Sequence, residues 1–99
     1  MIHVVAIISA RPGQRPALLN AFAEISPIVL AESGCIEYSV TIDTTDADPA
    51  FGTDTIIVIE KWESADALKA HAGSAHMAAF GLLAKDLAAG VAIHRLQAA

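Results

Sequence analysis

From Ile2 to Ser9 the residues IHVVAIIS are almost continuously β-branched or apolar, a pattern that predicts a well-buried strand. ARPGQRP then breaks the pattern with Pro12, Gly13 and Pro16, the punctuation of a loop entering a helix. Between Pro16 and about Glu32 the period becomes helical. Leu18, Phe22, Ile25 and Val29 fall at spacings of four, three and four, with Asn20 and Glu24 off that stripe. Pro27 lies inside the helix, where a kink is expected, and Gly34 is its C-terminal stop. In CIEYSVTID, Ile36, Tyr38, Val40 and Ile42 alternate with Glu37, Ser39 and Thr41, which predicts a half-buried strand. TTDADPAFGTD is a long polar hairpin loop, and TIIVIEKW is the strand that returns from it. Ser64 can cap the next helix, with Asp66 in its first turn. Gly73 interrupts that helix and Ser74 can cap a second piece, in which Met77, Phe80, Ala84 and Leu87 keep helical spacing. Gly90 is expected to end it, and VAIHRLQ is the last strand.

The order is β-α-β-β-α-β with the second helix broken in two. This is the split-βαβ, ferredoxin-like α+β arrangement: a four-stranded antiparallel sheet with helices on one face. Residues 1–99 form a single domain with no internal repeat or linker. The other face of the sheet is apolar and would be bare in a lone chain, so a second copy packed sheet to sheet is expected. Composition points the same way. Hydrophobic residues make up 55% of the chain, more apolar surface than one small core hides, although alanine supplies part of it. The net charge is −5 and no basic run occurs, which excludes a nucleic-acid backbone as partner. No apolar run approaches membrane-spanning length, the N-terminus has no signal-peptide pattern, and Cys35 is the only cysteine. A cytoplasmic protein is expected.

The reactive side chains concentrate between Glu60 and Phe80, in EKWESADALKAHAGSAHMAAF. His71, three after Leu68, shares the inward face of its helix. It is either a core imidazole bonded to a backbone carbonyl or a base, since imidazole exchanges protons near neutral pH without tuning. His76, just after the second cap, is either a proton acceptor or a capping residue at the solvent edge. Glu60 and Trp62 point to one side of their strand. Trp62 closes the core or walls a flat ring, and Glu60 pairs with a cation such as Arg95 or borders a polar cavity. Tyr38 packs in the core, its phenol needing a partner that the protein or a ligand supplies. Cys35 is read as a small buried hydrophobe. His3 and His94, on the first and last strands, are assigned to edge elements and to structure. No acidic or sulfur ligand lies at short spacing beside a histidine, so no metal site is expected.

The ordered set RPGQ, ESGCIEYSV, IEKWES and LKAHAGSAHMAAF resembles the antibiotic biosynthesis monooxygenase (ABM) domain family, nearest to its small cofactor-independent quinol monooxygenases. The resemblance runs from Ile2 to about Leu96. It implies a dimeric α+β barrel, and oxygenation of a quinol or related electron-rich aromatic by O2 without metal, flavin or haem. On matching positions it implies His71 and His76 as catalytic candidates, with Trp62, Tyr38, Phe80, Met77 and Glu60 holding the substrate. Arg95 is the one candidate for a cation facing the substrate anion. The haem-degrading branch needs an asparagine on the first strand and a histidine late in the second helical region. Here the only asparagine is Asn20, on the first helix, and Gly81 stands near the ligand position, so haem degradation is disfavoured. The alternatives are a dimeric domain that binds a small hydrophobic ligand without turnover, or an enzyme that processes a small signalling molecule.

Overall fold

The computed structural model describes all residues, 1–99. The elements run β1 (Ile2–Ala10), α1 (Arg15–Leu30), β2 (Cys35–Thr41), β3 (Thr55–Trp62), α2 (Ala65–Ala72), α3 (Ala75–Ala84) and β4 (Ala88–Leu96). The strands form one antiparallel sheet in the order β2-β3-β1-β4. This is the ferredoxin-like fold. β1 therefore lies inside the sheet, so His3 is not on an edge; of the two strands carrying His3 and His94, only β4 is an edge strand.

Strand alternation divides the sheet into two faces. Val4, Ala6, Ile8 and Ala10 of β1, with Ile56, Val58, Glu60 and Trp62 of β3, are buried on the helix side. Leu18, Phe22, Ile25 and Val29 of α1 are buried against them, which is the predicted stripe. Leu18, Val29, Ile56 and Trp62 have no exposed surface, and burying each aliphatic side chain contributes about 1.5–3 kcal/mol. α1 continues through Pro27. Ser64 and Ser74 each accept a hydrogen bond from the backbone N–H three residues on, so both predicted caps form.

Three local expectations change. The α3 helix stops at Ala84, and Gly90 lies within β4, which starts at Ala88; Leu87 belongs to the turn between them. At the start of β2, Cys35 faces Trp62 while Glu37 already faces Lys61. This bulge removes Ile36 from the Tyr38 face and leaves it half exposed. The helix-side residues of β4 are also uncovered: Val91 and Ile93, opposite Ile8 and Ala6, are 58% and 65% exposed. That gap leaves one side of the helix–sheet interface open.

The loop between β2 and β3 is tied by Asp43, whose carboxylate accepts from the backbone N–H of Gly52 (2.8 Å) and of Phe51 (3.0 Å). The Gly52 bond first, with the Phe51 bond, holds the Asp43 pKa below its ordinary 3.8. A depressed folded value means the tie is present above the unfolded pKa and is lost as pH falls through the folded one. Amide exchange at Phe51 and Gly52, corrected for intrinsic pH dependence, is therefore expected to quicken below about pH 4. Asp43→Asn should produce the same loosening at neutral pH.

Candidate active site

Under the open side lies a cavity of about 750 Å³ between the helix face of the sheet and α2 and α3. Its wall is mostly apolar, with Phe22, Val58, Met77, Phe80 and Ile93 among the lining side chains. Tyr38, Glu60 and His71 bring polar groups into it. Lys69, Lys85 and Arg95 also line it, three of the six basic residues in an acidic chain.

His71, one residue from the end of α2, is the pivot. It is 6% exposed, and its ring packs on Trp62 with centroids 4.6 Å apart and lies 6.0 Å from the Tyr38 ring. Its Nδ1 is 2.7 Å from Glu32 Oε2. The same carboxylate oxygen lies 3.0 Å from His76 Nε2, which is also 3.2 Å from Ser74 Oγ. Ser74 in turn donates to the His71 carbonyl at 2.7 Å, so the cap that starts α3 also ties it to the end of α2. Burial alone would raise the Glu32 carboxyl, but hydrogen bonds from His71 and His76 outweigh it and hold the group below its usual range. An ionised carboxylate only accepts, so Nδ1 of His71 carries the hydrogen. In the neutral ring the lone pair then sits on Nε2. That atom lies 4.0 Å from Glu60 Oε1, beyond hydrogen-bond reach.

Glu60 does not pair with Arg95. The two lie on opposite sides of Val4, separated by the width of β1. Glu60 Oε1 accepts from the Trp62 indole N–H at 2.9 Å instead. Desolvation is the main influence on Glu60 and raises its carboxyl pKa, against the lowering effects of the Trp62 bond and of His71. Burial likewise pushes the Tyr38 phenol well above its ordinary value, so it stays protonated as a donor. Trp62→Phe keeps most of the buried ring but strips the Glu60 carboxyl of its only hydrogen bond. A loss of about 1–3 kcal/mol is expected in urea unfolding.

The structure thus brings His71, Tyr38, Glu60, Met77 and Phe80 to one cavity. Trp62 is not a wall of it: the indole is fully buried behind His71 and acts on the site through Glu60 and ring packing. His76 is also outside the lining and reaches the His71 ring through Glu32 and the His71 carbonyl through Ser74. His71 is held by a carboxylate, not by a backbone carbonyl. Glu32 is the residue the spacing argument misses, because it lies 39 positions before His71. A signal existed. Glu32 opens ESGC, and it continues the buried stripe of α1, three beyond Val29. The expectation of no metal-binding group rested on short spacing alone. In the fold, ligand atoms of Glu32, His71 and His76 all lie within 4.8 Å of one another.

The structure is thus a ferredoxin-like domain with a carboxylate–histidine pair beside a mostly apolar cavity. Residues 1–81 match the model of the antibiotic biosynthesis monooxygenase family, and the chain belongs to that family. It is 44% identical over 85 residues to the "Probable quinol monooxygenase YgiN" of Escherichia coli K12, spanning 81% of each chain. The protein of that name from Shigella flexneri matches to the same extent. Among solved structures, PA3566 from Pseudomonas aeruginosa superposes with a TM-score of 0.84 at 26% identity, over 99% of this chain and 93% of that one. Rv0793 from Mycobacterium tuberculosis does so with 0.82 at 25% identity, over 99% and 94%. No helix is long and apolar enough to cross a membrane.

Proposed function

We propose that the protein is a cofactor-independent monooxygenase that oxidises a quinol or related electron-rich aromatic with O2. The observation that carries this reading is the Glu32–His71 pair, set so that Nε2 of His71 is the free nitrogen beside an apolar cavity. Kinship with a relative named "Probable quinol monooxygenase" supports the substrate class.

Nε2 of His71 takes a phenolic proton, and Glu32 stabilises the imidazolium that forms. The resulting phenolate is the reductant and passes electrons to O2. One oxygen atom enters the ring and the other leaves as water, so a quinol and O2 give a hydroxyquinone and H2O. The substrate supplies all four electrons. Phe80 and Met77 hold the ring and exclude water, while Tyr38 donates to an oxygen of the bound ligand. Desolvation works against a full charge on Glu60, which lessens repulsion of the phenolate. Arg95, Lys69 and Lys85, which line the same cavity, are the cations available to the anion.

The working form is a cytoplasmic homodimer joined through the open face of the sheet. There Val5 and Ile7 lie beside Ile59 and Ile57, an apolar centre flanked by the Lys61–Glu37 ion pair. Light scattering should give twice the chain mass. A mass near that of one chain would overturn the dimer.

The test of function is O2 uptake by the purified protein with a panel of benzo- and naphthoquinols, measured against each quinol's autoxidation. Uptake above background with one O2 consumed per hydroxyquinone formed is expected. Ligand binding without uptake across the panel would replace the enzyme with a binding domain.

A further inference from the structure

We infer that Glu32, His71 and His76 form a binding site for one divalent transition-metal ion of zinc's class, and that occupancy switches the base off. The second half rests on the reading of His71 as base; the first does not.

Three donors converge from three elements: Glu32 from the turn after α1, His71 from the end of α2 and His76 from the start of α3. Two imidazole nitrogens and one carboxylate oxygen are a donor set suited to Zn2+, Ni2+ and Fe2+. One carboxylate oxygen receives both histidines, so two N–H hydrogens now stand where a single cation could bind all three groups. A tetrahedral ion with bonds of about 2.0–2.2 Å sets its ligands about 3.3 Å apart. The 2.7 and 3.0 Å contacts must open by about half an ångström to reach that, and the two histidine nitrogens, which lie within 4.8 Å of each other, must close toward the same spacing. The Glu32 and His71 side chains are 14% and 7% exposed, whereas His76 is 27% exposed and gives the ion a route from solvent.

The far side of His71 is also prepared. A metal-bound imidazole usually gives its other N–H to a carboxylate. Here Nε2 faces Glu60 Oε1 at 4.0 Å, and Glu60 is itself held by the Trp62 indole. Coordination at Nδ1 moves the single proton of the neutral ring to Nε2. The lone pair that faced the cavity is then gone. Metal binding and proton abstraction by His71 thus exclude each other.

Chelator-treated protein is titrated with Co2+, followed by visible absorption, and with Zn2+ by calorimetry. One ion per chain with a micromolar or tighter Kd is expected. His76→Ala and Glu32→Gln should each weaken binding at least about 100-fold, and Glu60→Gln about 10-fold. Nitrogen-15 NMR should show the His71 proton moving from Nδ1 to Nε2 on adding Zn2+. With a quinol that is turned over, O2 uptake should fall in proportion to Zn2+ occupancy. No saturable binding, or binding that survives both His76→Ala and Glu32→Gln, overturns the site. Saturation with O2 uptake intact keeps the site and overturns the switch. Metal binding by protein that oxidises no quinol keeps the site and removes the function proposed above.

Discussion

Replacing His71 by alanine is expected to lower quinol-dependent O2 uptake by about 10²–10⁴-fold, the span of a lost general base, with KM little changed. The ring contributes one face to a large apolar cavity, so most of the substrate's contacts survive the truncation. The truncation also opens space beside Trp62 and leaves Glu32 with only His76, so the variant's melting temperature must be measured alongside its rate. Glu32→Gln separates chemistry from packing. Glutamine fills the same volume, but its carbonyl oxygen is neutral and its amide is a donor. The imidazolium formed during proton transfer then loses its Glu32 countercharge, and the Nδ1–H tautomer is no longer enforced. A fall of about 10²–10⁴-fold in kcat is expected, with the fold intact. The two losses should not add, because Glu32 acts through His71: the double variant should be no slower than His71→Ala. Uptake unchanged in His71→Ala would move the base elsewhere, to His76 first. A full additive loss in the double variant would show that Glu32 acts through some other group.

The parts of this structure legible in the sequence are those governed by local periodicity and capping. Leu18, Phe22, Ile25 and Val29 announce the buried side of α1, and Ser64 and Ser74 announce two helix starts. Two-residue alternation also placed Glu60 and Trp62 on one side of β3, which is where they are. What local pattern cannot show is which distant group meets them. Glu60 finds an indole two residues away instead of Arg95, because β1 stands between Glu60 and Arg95. His71 finds a carboxylate from the turn after α1, a contact fixed only when the helices dock. The bulge at Ile36 and the early start of β4 were hidden for another reason. The first is a one-residue change in register and the second a three-residue shift of a strand end, and both are decided by how a strand meets its neighbour rather than by the identity of its own residues.

Gly34→Ala is expected to be the most damaging of the six glycine-to-alanine changes, at a cost of about 2–5 kcal/mol. Two independent strains combine. Gly34 has φ +83°, a left-handed conformation that costs an alanine about 1–2 kcal/mol. A Cβ there would also stand 2.6 Å from the Ala67 Cβ on α2, and forcing such an overlap costs about 1–3 kcal/mol. The backbone cannot easily swing aside, since the Gly34 carbonyl accepts from the Glu63 N–H at 2.9 Å, just past the end of β3. This close approach of turn to helix sets the distance between Glu32 on the turn and His71 on α2. Urea unfolding of Gly34→Ala, Ala67→Gly and the double variant divides the two strains. Ala67→Gly alone should lose about 1 kcal/mol, as a glycine placed in a helix does. In the double variant the overlap is gone and only the backbone strain remains, so a favourable coupling of about 1–3 kcal/mol is expected. O2 uptake should follow the same cycle, falling in Gly34→Ala as the turn moves away from α2 and recovering in part in the pair. No coupling in stability would mean that the turn absorbs the methyl. The approach of Gly34 to Ala67 would then not be what positions Glu32.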